Sequence, residues 1–173
     1  MKYIAEPLNR KQLRQLAYDI RKILGYEDVL RFPIIWFLEN VMPVMFGATY
    51  HIADYAEMEA TKHGETDVVN RCISIREDVY YGAVEGSGRD RMTVAHESGH
   101  YILFVACGVK FARTFDKSKE VPTFQDPEWQ AKAFAGELLC PAHLIKNMSA
   151  EQIVDKCGVS LDAAVYQLRQ SRR

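Results

Sequence analysis

Near the start of the chain, hydrophobic side chains recur at every third or fourth position, which is the period of a helix with one apolar face. The predicted apolar stripe consists of Leu13, Leu16, Ala17, Ile20, Ile23 and Leu24. Asn9 precedes the stripe and Gln12 follows three residues later, in the capping-box pattern that marks a helix start. Gly25 marks the predicted end. The sequence therefore predicts an amphipathic helix between Asn9 and Gly25.

A second, shorter helix is predicted from about Pro33 to Met42, with Pro43 as its boundary. The run from Ile34 to Leu38 is hydrophobic on almost every side of such a helix. A helix without a polar face is buried between other elements. We therefore expect this helix to lie inside the protein.

Between about residues 48 and 84 the hydrophobic period changes to two, which is typical of β-strands. The three candidate strands are ATYHIADYA (48–56), RCISIR (71–76) and VYYGAV (79–84). Because the connections look short, the sequence predicts a small antiparallel sheet. The segment EGSGRD (85–90) is polar and rich in glycine, so we expect a loop there.

The remainder of the chain is predicted to be mostly helical. Residues 108–126 are interpreted as a loop, with a short strand at VKFARTF (109–115). A helix begins at Asp126-Pro127-Glu128, which supplies an N-cap, a proline in the first turn and an acidic residue, and it ends before Pro141. Two short closing helices have cap signals at Ser149 with Gln152 and at Ser160.

These elements predict an α+β protein. The 173 residues have no internal repeat or Gly/Ser-rich linker, and this length suits one domain. We divide the predicted domain, residues 1–173, into N-terminal helices (about 1–47), a sheet with the following helix (about 48–107) and a helical C-terminal part (about 126–173).

Charge and hydropathy indicate the expected cellular compartment and which partners are not expected. The net charge is −1, so no overall field attracts nucleic acid or anionic lipid. No apolar run approaches the roughly 20 residues of a membrane span, and the segment MKYIAEPLNRKQ has no signal-peptide core. We therefore expect a cytoplasmic protein without a membrane partner. The closing helices resemble a helix-turn-helix, but they carry too little basic charge for us to expect direct DNA binding.

The cysteines agree with a reducing compartment. Cys72, Cys107, Cys140 and Cys157 form no C-x-x-C pair, so they suggest neither a redox motif nor a thiolate zinc site. Each has apolar neighbours, where a reduced cysteine acts as a small hydrophobic residue.

The segment TVAHESGHYILF (93–104) contains the candidate metal-binding and catalytic residues. It contains the motif H-E-x-x-H, formed by His96, Glu97 and His100. On a helix the two histidines lie about 6 Å apart along the axis and about 40° apart around it, so both imidazoles can bind one metal ion. Glu97 projects beside that ion, where its carboxylate can accept a proton from a metal-bound water molecule. Chance would give this motif about once in a hundred chains of this composition. Two buried histidines without a metal would each need their own hydrogen-bond partners. We therefore prefer the interpretation as a metal site.

A catalytic zinc site has a third protein ligand. His51, His63 and His143 are candidates, as are several downstream acids. Helical geometry favours Glu128, because it shares a helix face with the small residues Ala131 and Ala135, whereas Glu137 points to the opposite side. The alternative is that Glu128 is a first-turn acid that interacts only with the helix dipole.

Three stretches of the sequence resemble the ImmA/IrrE family of bacterial and phage metallopeptidases: RMTVAHESGHYILF, EWQAKAFAGELLCP and CGVSLDAAVYQLR. In that family the glutamate that opens the second motif is the third metal ligand, and it corresponds to Glu128. Two departures are Lys132, where the family usually has asparagine, and Ser98, where leucine is commoner. Neither replaces a ligand or the base, but Lys132 would place a cation near the metal.

The resemblance implies a zincin-like minidomain in which a small sheet packs on the H-E-x-x-H helix. It implies a Zn²⁺ endopeptidase, with Mn²⁺ as the alternative metal, in which His96, His100 and Glu128 bind the ion and Glu97 is the catalytic base. It also implies a protein substrate: a DNA-binding transcriptional repressor of a mobile element or stress regulon.

Two other classes of function are open at this stage. The chain can be an antirepressor or toxin–antitoxin-type protein that sequesters its partner, with a structural or vestigial metal site. It can also be a metal-dependent hydrolase of a small amide. The residue that stabilises the oxyanion is open too: Tyr80, Tyr81 and Tyr101 are candidates, although core packing explains them equally well.

Overall fold

The computed structural model describes residues 2–107, 112–114 and 121–172. Strand β1 (Lys2–Ile4) pairs antiparallel with β5 (Ala112–Thr114) in a two-stranded ribbon. Strand β5 lies within the predicted VKFARTF segment, whose other residues are outside the described ranges.

The first helix, α1 (Arg10–Ile23), confirms the predicted start. The Asn9 side chain accepts a hydrogen bond from the backbone N–H of Gln12, and the Gln12 side chain accepts one from the backbone N–H of Asn9. Most of the predicted stripe faces the interior, but Ile23 is exposed because it lies at the end of the helix.

The second helix differs from its predicted form. A short α-helical segment, α2 (Ile34–Trp36), continues as a π-helix (Phe37–Phe46) that contains Pro43. In an α-helix the proline ring would collide with the carbonyl four residues earlier. The wider π turns are the conformation in which this chain passes Pro43, so the helix ends at Gly47 instead. The predicted burial is confirmed in part: Ile34, Phe37 and Leu38 are inaccessible to solvent, whereas Ile35 is half-buried and Trp36 is exposed.

A three-stranded sheet follows, with β2 (Thr49–Ala53), β3 (Gly64–Asp67) and β4 (Cys72–Arg76) in the order β2-β4-β3. Strand β3 pairs antiparallel with β4, whereas β2 pairs parallel with it. The prediction of a purely antiparallel sheet is therefore wrong. Residues 54–71, which join β2 to β4, include β3, so the chain crosses over before β4 aligns with β2.

The predicted strand VYYGAV is also wrong, because this segment is helix α3 (Glu77–Val84). Val79, Tyr80 and Ala83 are buried, while Tyr81 is exposed. That spacing is helical, whereas a strand would bury alternate residues. Two acidic residues in the first turn, which precede the buried positions, favour the helix.

Two long helices form the centre of the protein. Helix α4 (Gly88–Cys107) begins inside the segment that was predicted to be a loop, so the connection after α3 is shorter than expected. Helix α5 (Pro127–Leu139), preceded by a 3₁₀ turn (Thr123–Gln125), packs against both α1 and α4.

The C-terminal part closes the core next to α5. It comprises α6 (Ala142–Ile145), α7 (Ala150–Ile153), which continues as a π-helix (Val154–Gly158), and α8 (Leu161–Ser171). The predicted caps are confirmed: the Ser149 side chain accepts from Gln152 N–H, and the Ser160 side chain accepts from Ala163 N–H. Within the described residues, no helix has the length and hydropathy needed to cross a membrane.

Candidate metal centre

Helix α4 places the two histidines of the motif side by side. The Nε2 atoms of His96 and His100 lie 3.0 Å apart, and their rings meet edge to face at a centroid distance of 4.6 Å. Each side chain is about one-fifth exposed, at 24% and 20%. Both imidazole nitrogens therefore point to one place at the surface of the helix.

Helix α5 brings a carboxylate to the same place. Oε2 of Glu128 lies 3.2 Å from Nε2 of His96, and Oε1 lies 3.3 Å from Nε2 of His100. The helix start fixes this position, because the Asp126 side chain accepts a hydrogen bond of 3.0 Å from the backbone N–H of Glu128. The carboxylate thus projects from the first turn of α5 towards α4.

The spacing of these three groups fits one metal ion. Their potential ligand atoms all lie within 4.8 Å of one another. In a tetrahedral zinc site with bonds of 2.0–2.1 Å, neighbouring ligand atoms are about 3.3 Å apart. The closest approaches between the three groups, 3.0, 3.2 and 3.3 Å, come close to that value, with His96 nearest to Oε2 of Glu128 and His100 nearest to Oε1. His96, His100 and Glu128 can therefore hold a divalent ion that keeps a further position open.

The hydrogen bonds to the imidazoles also affect the charge of the carboxylate. Hydrogen bonds with His100 and His96 hold the pKa of Glu128 well below its ordinary value. The side chain is 72% exposed, so water weakens the effect. The direction means that Glu128 is ionised, which a metal-binding carboxylate must be.

A close crossing of α4 and α5 makes this arrangement possible. A Cβ atom on Gly99 would lie 3.0 Å from Cδ1 of Phe134 and 3.3 Å from the carbonyl oxygen of Ala131. Ala131 and Ala135, the small residues predicted to share a helix face with Glu128, are fully buried and let the two helices approach. Gly99 was not predicted to be part of the site, although a glycine inside a helical pattern is a recognised sign of close packing.

Glu97 lies on the neighbouring side of α4 and contacts strand β3. The Thr66 hydroxyl donates to Oε2 of Glu97 at 2.6 Å and to the Glu97 backbone carbonyl at 3.0 Å. This contact was not predicted either. The segment GETD has no alternation of apolar residues, so nothing in it predicted a strand at the site.

All four predicted site residues border one cleft with a volume of about 1220 Å³. Strand β3 and the residues after it form one wall, α4 forms another, and the start of α5 forms a third. The non-ligand lining residues include Gly64, Glu65, Thr66, Asp67, Val68, Leu103, Asp126 and Gln130. A metal ion bound by the three ligands would therefore be accessible from the same cleft as Glu97.

The other candidate third ligands lie elsewhere. Nε2 of His51 is 3.0 Å from the Glu57 carboxylate, and the ring of His63 contacts the guanidinium groups of Arg76 and Arg89. Nε2 of His143 is 2.8 Å from the backbone carbonyl oxygen of Glu27.

Glu137 also lies away from the centre. It is 1% exposed and forms ion pairs with Arg10 and Arg14 of α1. Among the described residues, the group that could hold a metal ion is therefore His96, His100 and Glu128.

The tyrosine candidates for the oxyanion do not line the cleft. The Tyr101 hydroxyl is directed at the Phe46 carbonyl, and the Tyr80 hydroxyl donates to Glu39, which raises the pKa of Tyr80 to about 12. Tyr81 packs against the edge of Tyr80. The tyrosines therefore pack or hydrogen-bond away from the site.

The structure also shows the surroundings of the two residues that depart from the family pattern. Lys132 is exposed and does not line the cleft, so the structure gives no support for a cation beside the metal ligands. Ser98 is buried, and its hydroxyl has no hydrogen-bond partner among the described residues.

Comparison with known proteins shows the family of the chain. The family model of the IrrE N-terminal-like domain, peptidase family M78, matches residues 46–169. The chain belongs to this family. The matched part of the IrrE N-terminal-like domain includes His96, Glu97, His100 and Glu128, and the family is a metallopeptidase family. No curated protein sequence matches the chain significantly.

A solved structure shares the fold. A Mycobacterium tuberculosis transcriptional regulator aligns with a TM-score of 0.59 at 12% sequence identity. The alignment covers 91% of this chain and 46% of the regulator, so the chain spans about half the length of that protein. With the family match, this likeness supports the α+β fold that the sequence pattern predicted and the zincin-like minidomain that the resemblance implied.

Proposed function

We propose that this protein is a zinc-dependent endopeptidase that cleaves a specific protein, namely a DNA-binding transcriptional repressor. One observation carries the enzymatic part of the proposal: Glu97 and the three potential metal ligands border the same cleft. A purely structural metal site has no use for a carboxylate beside it that can act as a base.

Each residue has a defined role in the proposed reaction. His96, His100 and Glu128 hold the ion, and Zn²⁺ suits this set of two imidazoles and one carboxylate, with Mn²⁺ as the alternative. The bound ion supplies positive charge that polarises the scissile carbonyl and makes water more acidic. Glu97 accepts the proton of the attacking water and then delivers it to the leaving amine.

The cleft favours a polypeptide over a small amide as the substrate. Its volume of about 1220 Å³ exceeds the roughly 300–1,000 Å³ of ordinary small-molecule pockets. The Glu128 side chain is 72% exposed, so the potential metal site is accessible from solvent. The choice of a repressor rests on the resemblance to ImmA/IrrE peptidases.

The test compares wild-type protein with Glu97→Gln after both are loaded with zinc. Each protein is incubated with a lysate of its source cells, and new protein N-termini are identified by mass spectrometry. We expect both to bind about one zinc ion per chain, because the ligands are unchanged. New N-termini in a repressor should form about 10²–10⁴ times more slowly with Glu97→Gln, which is the usual contribution of a general base.

Equal cleavage by the two proteins would contradict the role of Glu97. The absence of new N-termini with wild-type protein, together with stable capture of a repressor by both proteins, would instead indicate sequestration. Failure of the wild-type protein to bind zinc or manganese would remove the basis of the proposed mechanism.

A further inference from the structure

Two residues of strand β3, Gly64 and Thr66, lie against the side chain of Glu97. Successive side chains of a strand alternate between its faces. Gly64 and Thr66 are half-buried, whereas Glu65 and Asp67 are exposed. The face that carries Thr66 therefore meets α4 at the residue that we assign as the base.

The Thr66 hydroxyl binds one side of the Glu97 carboxylate. It lies 2.6 Å from Oε2 and 3.0 Å from the backbone carbonyl oxygen of the same residue. Within the described part of the chain, Oε1 of Glu97 has no hydrogen-bond partner. Thr66 thus distinguishes the two carboxylate oxygens: β3 holds Oε2, and none of the described residues binds Oε1.

Gly64 sets how closely β3 approaches the same side chain. A Cβ atom at this position would lie 2.7 Å from Cγ and 3.3 Å from Cδ of Glu97. The first distance is shorter than real carbon contacts allow. The side chain of Glu97 consequently occupies space that exists only because residue 64 is a glycine.

We propose that Thr66 is a positioning residue for the catalytic base: its hydroxyl, together with the space left by Gly64, holds Oε2 of the Glu97 carboxylate in the orientation in which Oε1 accepts the proton of water. This inference rests on the proposed function. A base contributes fully only in reach of the proton that it accepts. A misplacement of about 1 Å can lower a rate about 100-fold.

A purely structural role makes a different prediction. The same hydrogen bonds also join β3 to α4, so loss of the hydroxyl could simply loosen the sheet. In that case stability would fall, zinc affinity would fall with it, and the orientation of Glu97 would not be selectively affected. The experiment must therefore separate the geometry of Glu97 from the stability of the fold.

The first measurement does not depend on activity. Glutamate carrying ¹³C is incorporated into zinc-loaded wild-type protein, Thr66→Val and Thr66→Ser, and three-bond couplings report the side-chain rotamers of Glu97. Valine keeps the shape of threonine without its hydroxyl, and serine keeps the hydroxyl. We expect one rotamer in wild type and Thr66→Ser, and averaging over several in Thr66→Val. A single unchanged rotamer in Thr66→Val would overturn the proposal.

The second measurement uses a peptide that spans a cleavage site identified with wild-type protein. For Thr66→Val we expect kcat to fall about 10- to 100-fold while KM and zinc affinity change less than about threefold. Thr66→Ser should recover most of kcat. Gly64→Ala, which displaces Glu97 without removing the hydroxyl, should also lower kcat. Equal kcat values for Thr66→Val and wild type would overturn the inference, as would a Thr66→Ser variant as slow as Thr66→Val.

The outcomes keep the two proposals apart. If Glu97→Gln cleaves as fast as wild type, the proposed role of Glu97 fails whatever Thr66 does. If Glu97→Gln is inactive but Thr66→Val retains full kcat, only the role of Thr66 fails. The rotamer measurement reports on Thr66 even if no substrate is found.

Discussion

Helix α5 carries two glutamates with opposite surroundings. Glu128, in its first turn, is 72% exposed and lies beside two imidazoles of α4. Glu137, near its other end, is 1% exposed and pairs with the guanidinium groups of Arg10 and Arg14 on α1. Both carboxylates accept interactions from two basic side chains, but the partners differ in kind.

The difference separates a stabilising ion pair from a binding site. Arginine stays charged and donates hydrogen bonds in a fixed geometry, so its pairs with Glu137 are complete without a ligand. Neutral imidazole nitrogens can instead act as ligands for a metal, and Glu128 is open to solvent. The Glu137 carboxylate is therefore expected to stabilise the fold, and the Glu128 carboxylate is expected to bind an ion.

The largest effect is expected at the binding site. Glu128→Ala removes one of the three proposed ligands, so zinc affinity should fall about 100- to 1000-fold, more than the loss of an outer partner usually costs. The free energy of unfolding of the metal-free protein should change by less than about 0.5 kcal/mol, because the side chain is exposed. Competition with a chromophoric chelator measures the first quantity, and urea unfolding in a chelator measures the second. Unchanged zinc affinity would show that Glu128 is not a ligand.

Glu137→Gln should produce the reverse result. It leaves two arginines facing an amide in place of a carboxylate, so we expect a loss of about 2–3 kcal/mol in unfolding free energy. Arg10 and Arg14 are partly exposed and can turn towards water, which keeps the loss below the roughly 3–5 kcal/mol that is usual for fully buried pairs. Urea unfolding of the metal-free protein measures the change. A large loss of zinc affinity in the folded variant would contradict the proposed separation of roles.

A smaller effect should follow from loosening the start of α5. Asp126→Ala removes the cap that accepts a hydrogen bond from Glu128 N–H, which should cost about 1 kcal/mol of stability. Since the first turn carries Glu128, zinc affinity should also fall, by about 3- to 10-fold. Ser160→Ala is the matched control, because it removes the cap of α8 at similar cost without touching the site. Equal zinc affinities for the two variants would show that the cap does not position Glu128.

The helix-capping signals in the sequence predicted the helix starts correctly. The caps at Asn9, Ser149 and Ser160 are formed as predicted, and so is the helix that starts after Asp126. Each depends on side chains within a few residues of the backbone groups that they satisfy. Such signals need no knowledge of the rest of the fold.

The failures occurred where distant packing decides the conformation. VYYGAV contains β-branched and aromatic residues that suit a strand, but it folds as α3 because Val79, Tyr80 and Ala83 face the core at helical spacing. The parallel pairing of β2 with β4 depends on the crossover that contains β3. Neither outcome is visible in a short window of sequence.

For the site, the sequence by itself determined which residues had suitable chemistry and where the helices that carry them begin. Periodicity put His96 and His100 on one face of α4, with Glu97 beside them, and the resemblance indicated Glu128. Only the tertiary structure brought Glu128 within 3.3 Å of the imidazoles and set Thr66 against Glu97. The physical reason is that helical spacing is a local property, whereas the helix crossing at Gly99 and the approach of β3 at Gly64 arise from the packing of segments far apart in the chain.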